Sequence, residues 1–228
     1  MDLEALNRRI IACRKCPRLV EWREAVARTK RKAFADWDYW GKPVPGFGDG
    51  QAKILVVGLA PGAHGSNRTG RQFTGDASGR FLYPALHRAG FSTISESTSR
   101  EDGLALLGLY VSALCRCVPP ANKPTPDELA HCRPYLEQEI ELLAPKVIVC
   151  LGQLAFSGVL KIHGLRESDF VFAHGASHLI PGTMDASRRW LVCSYHPSQQ
   201  NTLTGKLTAP MFDSIWITAR NLARDDQP

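Results

Sequence analysis

The hydrophobic pattern alternates between short apolar runs and longer amphipathic stretches. The runs "KILVVG" (53–58), "LYVSAL" (109–114), "KVIVCLG" (146–152) and "WLVCSY" (190–195) read as strands, the first rich in β-branched residues and suited to burial on both faces. Between and after them, "GRFLYPALHRAG" (79–90), "TPDELAHCRPYLEQEIELLAP" (125–145), "QLAFSGVL" (153–160) and "LTAPMFDSIWITARNLA" (207–223) carry helical spacing. The second of these opens near Thr125 or Pro126, with Asp127 and Glu128 favourable in its first turn. Two further helical stretches precede the first strand, at 2–12 and 20–34, the second with only a partial stripe of Val20, Trp22, Val26 and Phe34. "DYWGKPVPGFGDG" then stops the helical pattern.

Strand and helix alternating at this spacing predict a mostly parallel sheet with helices on both faces. Ligands of such sheets sit outside the strand carboxyl ends. Three polar or glycine-rich segments begin there: "GLAPGAHGSNRTGRQFTGDASG" (58–79), "CRCVPPANKP" (115–124) and "HPSQQNTLTG" (196–205). The first places six glycines in 22 positions, a loss of backbone entropy that needs a purpose. It also carries Asn67, Arg68, Arg71, Phe73 and Asp76, so it reads as the floor and lip of a pocket. A dinucleotide fingerprint is a poor reading, because "GFGDGQ" precedes the first strong strand. The loop also lacks the Gly-Lys-Ser/Thr ending of a P-loop.

Composition narrows the class. A length of 228 residues with 44% hydrophobic content supports one sizeable core, and a single domain spanning 1–228 with an ordered extension at 1–50 is expected. No apolar run reaches membrane-span length, and "MDLEALNRRIIACRKC" has the wrong order of charge and apolar residues for a secretory signal, so a cytoplasmic location is the expectation. Nothing in the sequence calls for an obligate oligomer, and a monomer is expected. The net charge of +6 permits a polyanionic partner, and basic residues gather around the first two cysteines.

Seven cysteines without a secretory signal argue against a disulfide framework. Cys13 and Cys16 have chelating spacing. With Cys132 and either Cys115 or Cys117 they compose a four-thiolate set suited to zinc or an iron–sulfur cluster, which would tie the extension to the sheet. Cys150 and Cys193 fall inside apolar runs and read as inert core thiols.

Taken together, "CRKC", "GLAPGAHGSNRTGRQFTGDASG", "CVPPANKPTPDELAHCRPYL" and "SYHPSQQNTLTG" resemble the prokaryotic family 5, or type B, uracil-DNA glycosylases over about residues 10–220. The resemblance implies a three-layer α/β/α sandwich around a four-stranded parallel sheet. It also implies a [4Fe-4S] cluster on Cys13, Cys16, Cys117 and Cys132, and excision of uracil and other deaminated bases from double-stranded DNA. Phe73 is implied as the stacking aromatic, Asp76 as the important acid, with Asn122 and His196 contributed by "PPANKP" and the His-Pro-Ser segment. The neighbouring Ser198, Gln199, Gln200 and Asn201 would enter the minor groove. Leu59 and Ala113 stand where the related type A enzymes carry an acid and an asparagine, which favours type B and a broader base choice.

The expected chemistry follows. Asp76 stabilises developing charge on the sugar and orients water, while Asn122 orients the base or that water. His196 and backbone N–H groups over Ala60, Gly62 and His64 stabilise the departing base. Asp76 also has a purely structural rival role as a helix cap in "GDASGRF". Arg68, Arg71 and Lys206 are the expected phosphate contacts.

Overall fold

The computed structural model describes residues 2–182 and 188–224. The elements run α1 (Leu3–Ile11), α2 (Pro17–Thr29), β1 (Phe47–Gly48), β2 (Ile54–Gly58), α3 (Ser66–Thr69), α4 (Gly79–Arg88), β3 (Leu109–Ala113), α5 (Pro126–Leu143), β4 (Val147–Leu151), α6 (Gln153–Ile162), β5 (Ser177–Pro181), β6 (Arg188–Ser194), α7 (Gln199–Leu203) and α8 (Ala209–Arg224).

Every apolar run expected as a strand is one. β3, β2, β4 and β6 lie side by side and parallel, in that order. The sheet has six strands rather than four, because β1 pairs antiparallel with β3 and β5 antiparallel with β6, one at each edge. Neither edge strand announces itself as an apolar run: β1 is two residues in a Pro- and Gly-rich stretch, and β5 is the half-polar "SHLIP", ending at a proline that an edge tolerates.

Alternation along the inner strands divides the apolar residues between two cores. Ile54, Val56, Val111, Val149 and Val192 pack on one face with Leu82, Leu86, Phe212 and Trp216 of α4 and α8. Leu55, Val57, Ile148, Cys150 and Cys193 pack on the other with Leu136 and Ile140 of α5 and Phe156 and Val159 of α6. Both cysteines are therefore core thiols, as their position in apolar runs predicts.

Local chemistry starts and stops the helices. Asp2 caps α1 by accepting from the Ala5 N–H at 2.7 Å, and Leu6 and Ile10, four apart on one face, bury against Tyr135 of α5. α5 opens with a capping box in which Thr125 and Glu128 satisfy each other's backbone N–H groups. Glu128 also receives the Arg18 guanidinium on both carboxylate oxygens, at 2.7 and 2.6 Å, which fastens α2 to α5.

The strand order β3-β2-β4-β6 has a topological switch point. From β2 the chain proceeds to β3 on one side and returns through β4 on the other, so the loops leaving β2 and β4 diverge above the sheet. Open α/β sheets bind ligands at that position. Among the described residues no helix is long and apolar enough to cross a membrane.

Candidate active site

The glycine-rich loop folds over the carboxyl end of β2, and its glycines mark places where other groups come too close for a side chain. A Cβ on Gly58, the last residue of β2, would lie 2.7 Å from Phe73 Cζ, so the Phe73 ring rests directly on the strand end. Phe73 itself has φ 51°, the left-handed region that a bulky residue rarely occupies. The conformation is held from both sides: the Tyr83 hydroxyl donates to Gln72 O at 2.7 Å, and Gly79 leaves room for Phe73 O, which would be 1.8 Å from an added Cβ.

Asp76 is seated in the same way. Its Oδ2 would be 3.0 Å from a Cβ on Gly62 and 2.1 Å from one on Gly65. Only glycine at these two positions lets the carboxylate lie against the backbone of the "PGAHG" turn. Gly79 N–H donates to Asp76 Oδ1 at 3.0 Å, so the capping role anticipated for this residue is present. That cap uses one oxygen; the other faces the turn. Burial raises the Asp76 pKa above its ordinary 3.8, outweighing the hydrogen bonds from Gly79 and Ser78 and the fields of Arg80 and Arg68.

His196 enters from the third loop. Its ring centroid is 6.0 Å from that of Phe73, with the planes tilted by 34°. A Cβ on Gly152, which closes β4 with φ 99°, would come within 3.3 Å of His196 Cβ. The histidine therefore stands beside the end of β4, while Phe73 stands on the end of β2. Burial drives the His196 pKa down to about 4, so the imidazole is neutral at physiological pH. The switch point of the sheet thus carries an aromatic face, a half-buried carboxylate and a neutral imidazole.

The remaining candidates divide. His64 lies between the two glycines that accommodate Asp76, and its Nδ1 is 3.1 Å from the Tyr39 hydroxyl. Burial, with Arg31 and Arg68 nearby, lowers its pKa. Ala60 packs against the cysteine-lined cluster instead of facing outward. Asn122 is exposed, with φ 57°, in a 3-10 turn at Pro120–Asn122; among the described residues no hydrogen bond joins it to Phe73, Asp76 or His196.

Arg68 and Arg71 are not surface cations, which corrects their expected part as phosphate contacts. Both are almost fully buried. Arg68 lies between the rings of Phe34 and Trp37, 4.0 and 3.9 Å from their centroids, and donates to His64 O and Gly75 O. It ties the His64 turn to the turn carrying Asp76. Arg71 pairs with Asp102 and bonds Thr74 and Ser97. Backbone carbonyls of the loop engage Arg68, and the side chains of Thr74, Ser97 and Asp102 engage Arg71, so both guanidiniums face the protein rather than solvent.

The "HPSQQNTLTG" segment is not an irregular loop but contains α7, capped by Ser198, which accepts from Asn201 N–H at 3.3 Å. Asn201 donates through Nδ2 to His196 O at 2.9 Å, so this short helix braces the histidine. Gln199 and Gln200 are exposed, and Leu203 is 77% exposed, a large apolar side chain in open solvent. Lys206 is exposed and lies 5.0 Å from the centroid of the Tyr195 ring.

The expected iron–sulfur centre is corrected. Cys13, Cys16, Cys117 and Cys132 border one cavity of only about 10 Å³. Among the described residues, however, no group of three or more His, Cys, Asp or Glu side chains is arranged to hold a metal ion. The sulfurs meet other partners: Arg23 Nη1 donates to Cys117 Sγ at 3.0 Å, Cys16 Sγ lies 3.5 Å from His131 Nδ1, and Cys115 Sγ donates to Cys117 O at 3.4 Å. Ion pairing, hydrogen bonds and the α1–α5 contact hold the extension where a cluster was expected.

Sequence reasoning missed Tyr39 and the Phe34–Trp37 clamp on Arg68. Their signal is present in "FADWDYW", whose aromatic density exceeds what a connecting segment needs.

A family model described as the uracil DNA glycosylase superfamily matches residues 45–220. A type-5 uracil-DNA glycosylase of Thermus thermophilus is 54% identical over 98% of this chain and 99% of its own length. Type-5 enzymes of Mycobacterium leprae and Mycobacterium bovis are 50% and 48% identical, over 97% and 96% of this chain and 96% and 81% of theirs. With the switch-point site built on the loops inside the matched span, the chain belongs to the type-5 uracil-DNA glycosylase family.

Proposed function

We propose that the chain hydrolyses the N-glycosidic bond of uracil, and of other deaminated bases, in double-stranded DNA, leaving an abasic site. The reading is carried by the seating of Asp76: a half-buried carboxylate packed against the glycine turn, in the loop whose Phe73 ring stands opposite His196. A cap alone needs neither that burial nor the two glycines.

In a duplex the glycosidic bond is hidden, so the nucleotide is first extruded. Phe73 then stacks on the base. The C1′–N bond breaks with its electron pair leaving on the base, and positive charge builds on the deoxyribose. Ionised Asp76 stabilises that charge, orients the water whose oxygen bonds C1′ and takes up that water's proton, which then passes through solvent to the released base anion. Neutral His196, as an N–H donor, and the N–H groups of Ala60 and Gly62 stabilise the base anion. Asn122 reaches the base edge or the water from its exposed turn. Exposed Leu203 fills the stack left by the extruded nucleotide, while Gln199, Gln200 and Lys206 meet the surrounding DNA.

The test is incubation with a duplex containing one uracil. Free uracil and an alkali-labile strand support the reading, and a duplex left intact under excess protein argues against it. Hypoxanthine, xanthine and thymine-mismatch duplexes then measure the range of bases accepted.

A further inference from the structure

A groove of about 660 Å³ lies beside the site and has no part in the chemistry above. Its walls are the end of α1, the outer face of α2 and the Trp40–Lys42 turn. Arg8, Arg14, Arg28 and Lys42 line it, and Glu24 is the one carboxylate in the same lining. Arg14 pairs with Glu24 at 2.7 Å, and Arg8 is engaged by Glu4 on its own helix. Arg28 and Lys42 are exposed, and among the described residues no ion pair engages either. Arg23, the fifth cation of the lining, is buried and bonds Cys13 O and Cys117 Sγ, so Arg28 and Lys42 are the two solvent-facing cations that the groove keeps outside these contacts. Its aromatic wall is Trp40, whose ring has Lys42 Nζ 5.3 Å from its centroid.

The groove leads to the chemistry. Tyr39 lines it, and the Tyr39 hydroxyl is the group 3.1 Å from His64 Nδ1, in the turn that seats Asp76. Cations beside an aromatic in an open channel are the features with which proteins follow a sugar–phosphate backbone. The arrangement also supplies what burial of Arg68 and Arg71 removes: solvent-facing positive charge next to the glycine-rich loop.

We infer that this groove carries the phosphate backbone of substrate DNA beyond the lesion, with Arg28 and Lys42 each meeting one phosphate. The inference rests on the glycosylase reading for the identity of the polyanion. It requires no specific base, because phosphates position the duplex without reading sequence.

The experiment compares the full chain with Arg28→Gln/Lys42→Gln by titrating an undamaged duplex across a salt series. Loss of two phosphate contacts lowers the slope of log affinity against log salt by about 1.8, with binding weakened about tenfold at low salt. Arg28→Lys/Lys42→Arg keeps the slope. Single-turnover excision at saturating enzyme is unchanged by the Gln substitutions, since neither side chain touches the reacting atoms. An unchanged slope and affinity overturn the groove while leaving the glycosylase reading standing. If the wild-type chain excises nothing yet the slope falls as stated, the DNA groove is supported and the glycosylase reading alone fails. If the Gln substitutions weaken binding of polyglutamate but not of DNA, the groove serves an acidic protein and the inference is wrong.

Discussion

Asp76 Oδ2 occupies the space that a side chain on Gly65 would need, 2.1 Å from where its Cβ would stand. The carboxylate and the glycine are eleven positions apart in sequence, yet no side chain can be added at Gly65 without moving Asp76. Gly65→Ala should therefore leave the sheet intact and displace Asp76 from the turn. Misplacement of a catalytic group by about 1 Å can slow the chemical step about 100-fold. Single-turnover excision by Gly65→Ala, set beside its thermal unfolding, checks this; a wild-type rate would mean that the carboxylate's position is immaterial.

The two half-buried titratable groups of the site give pH dependences of known sign. The Asp76 carboxyl holds its proton in the folded chain to a higher pH than in the unfolded chain. Its contribution to stability is complete below the unfolded pKa and is lost as pH rises through the folded value. The ionised form that chemistry needs is the one folding disfavours. The excision rate should fall on acidification with a midpoint above 3.8. His196 behaves oppositely: with its pKa brought from 6.5 to about 4, its contribution is present above 6.5 and lost as pH falls toward 4. NMR titration of the His196 ring should show no protonation between pH 8 and 6, and a midpoint near 6.5 would contradict its burial against Phe73.

Much of this was legible in the sequence, for physical reasons. β2, β3 and β4 are buried along their whole length and β6 over Leu191–Ser194, so each carries an apolar run that needs little context to recognise. β1 and β5 have one open edge and owe their existence to a neighbour, which local composition does not record. Phe73 and Asp76 stand out in the polar, glycine-rich loop leaving β2, whereas His196 and the roles of all three come from the family resemblance. The fates of Arg68 and Arg71 were not legible, since their burial depends on Phe34, Trp37 and Asp102, contributed by distant segments. The cysteine set shows the same limit: spacing identifies residues able to chelate, but the side-chain arrangement decides whether they do.

Leu203 is the apolar group that α7 presents to solvent. Leu203→Ala should slow excision from a uracil–adenine duplex about tenfold or more, because unstacking costs a few kcal/mol and the filler is gone. Uracil in a single strand, where no stack must be broken, should be excised at close to the wild-type rate. Equal losses on both substrates would remove Leu203 from the extrusion step.

Lys206 tests the phosphate term on the other side of the site. Lys206→Ala should weaken binding to unrelated duplexes equally and reduce the salt slope by about 0.9, the value of one contact. Fluorescence anisotropy across a salt series reads both, and sequence-dependent losses would contradict a backbone contact.

Asp76→Asn separates the two roles that one carboxylate combines. Asparagine can still accept from Gly79 N–H, and it removes the burial penalty of a charge. The fold of the variant should therefore be as stable as wild type at neutral pH, or more so. Its single-turnover release of uracil from duplex DNA should fall by about 100-fold or more, the scale of losing a group that acts on the transition state. A variant that keeps its stability and releases uracil at the wild-type rate would reduce Asp76 to a helix cap and leave the proposed site without its chemistry.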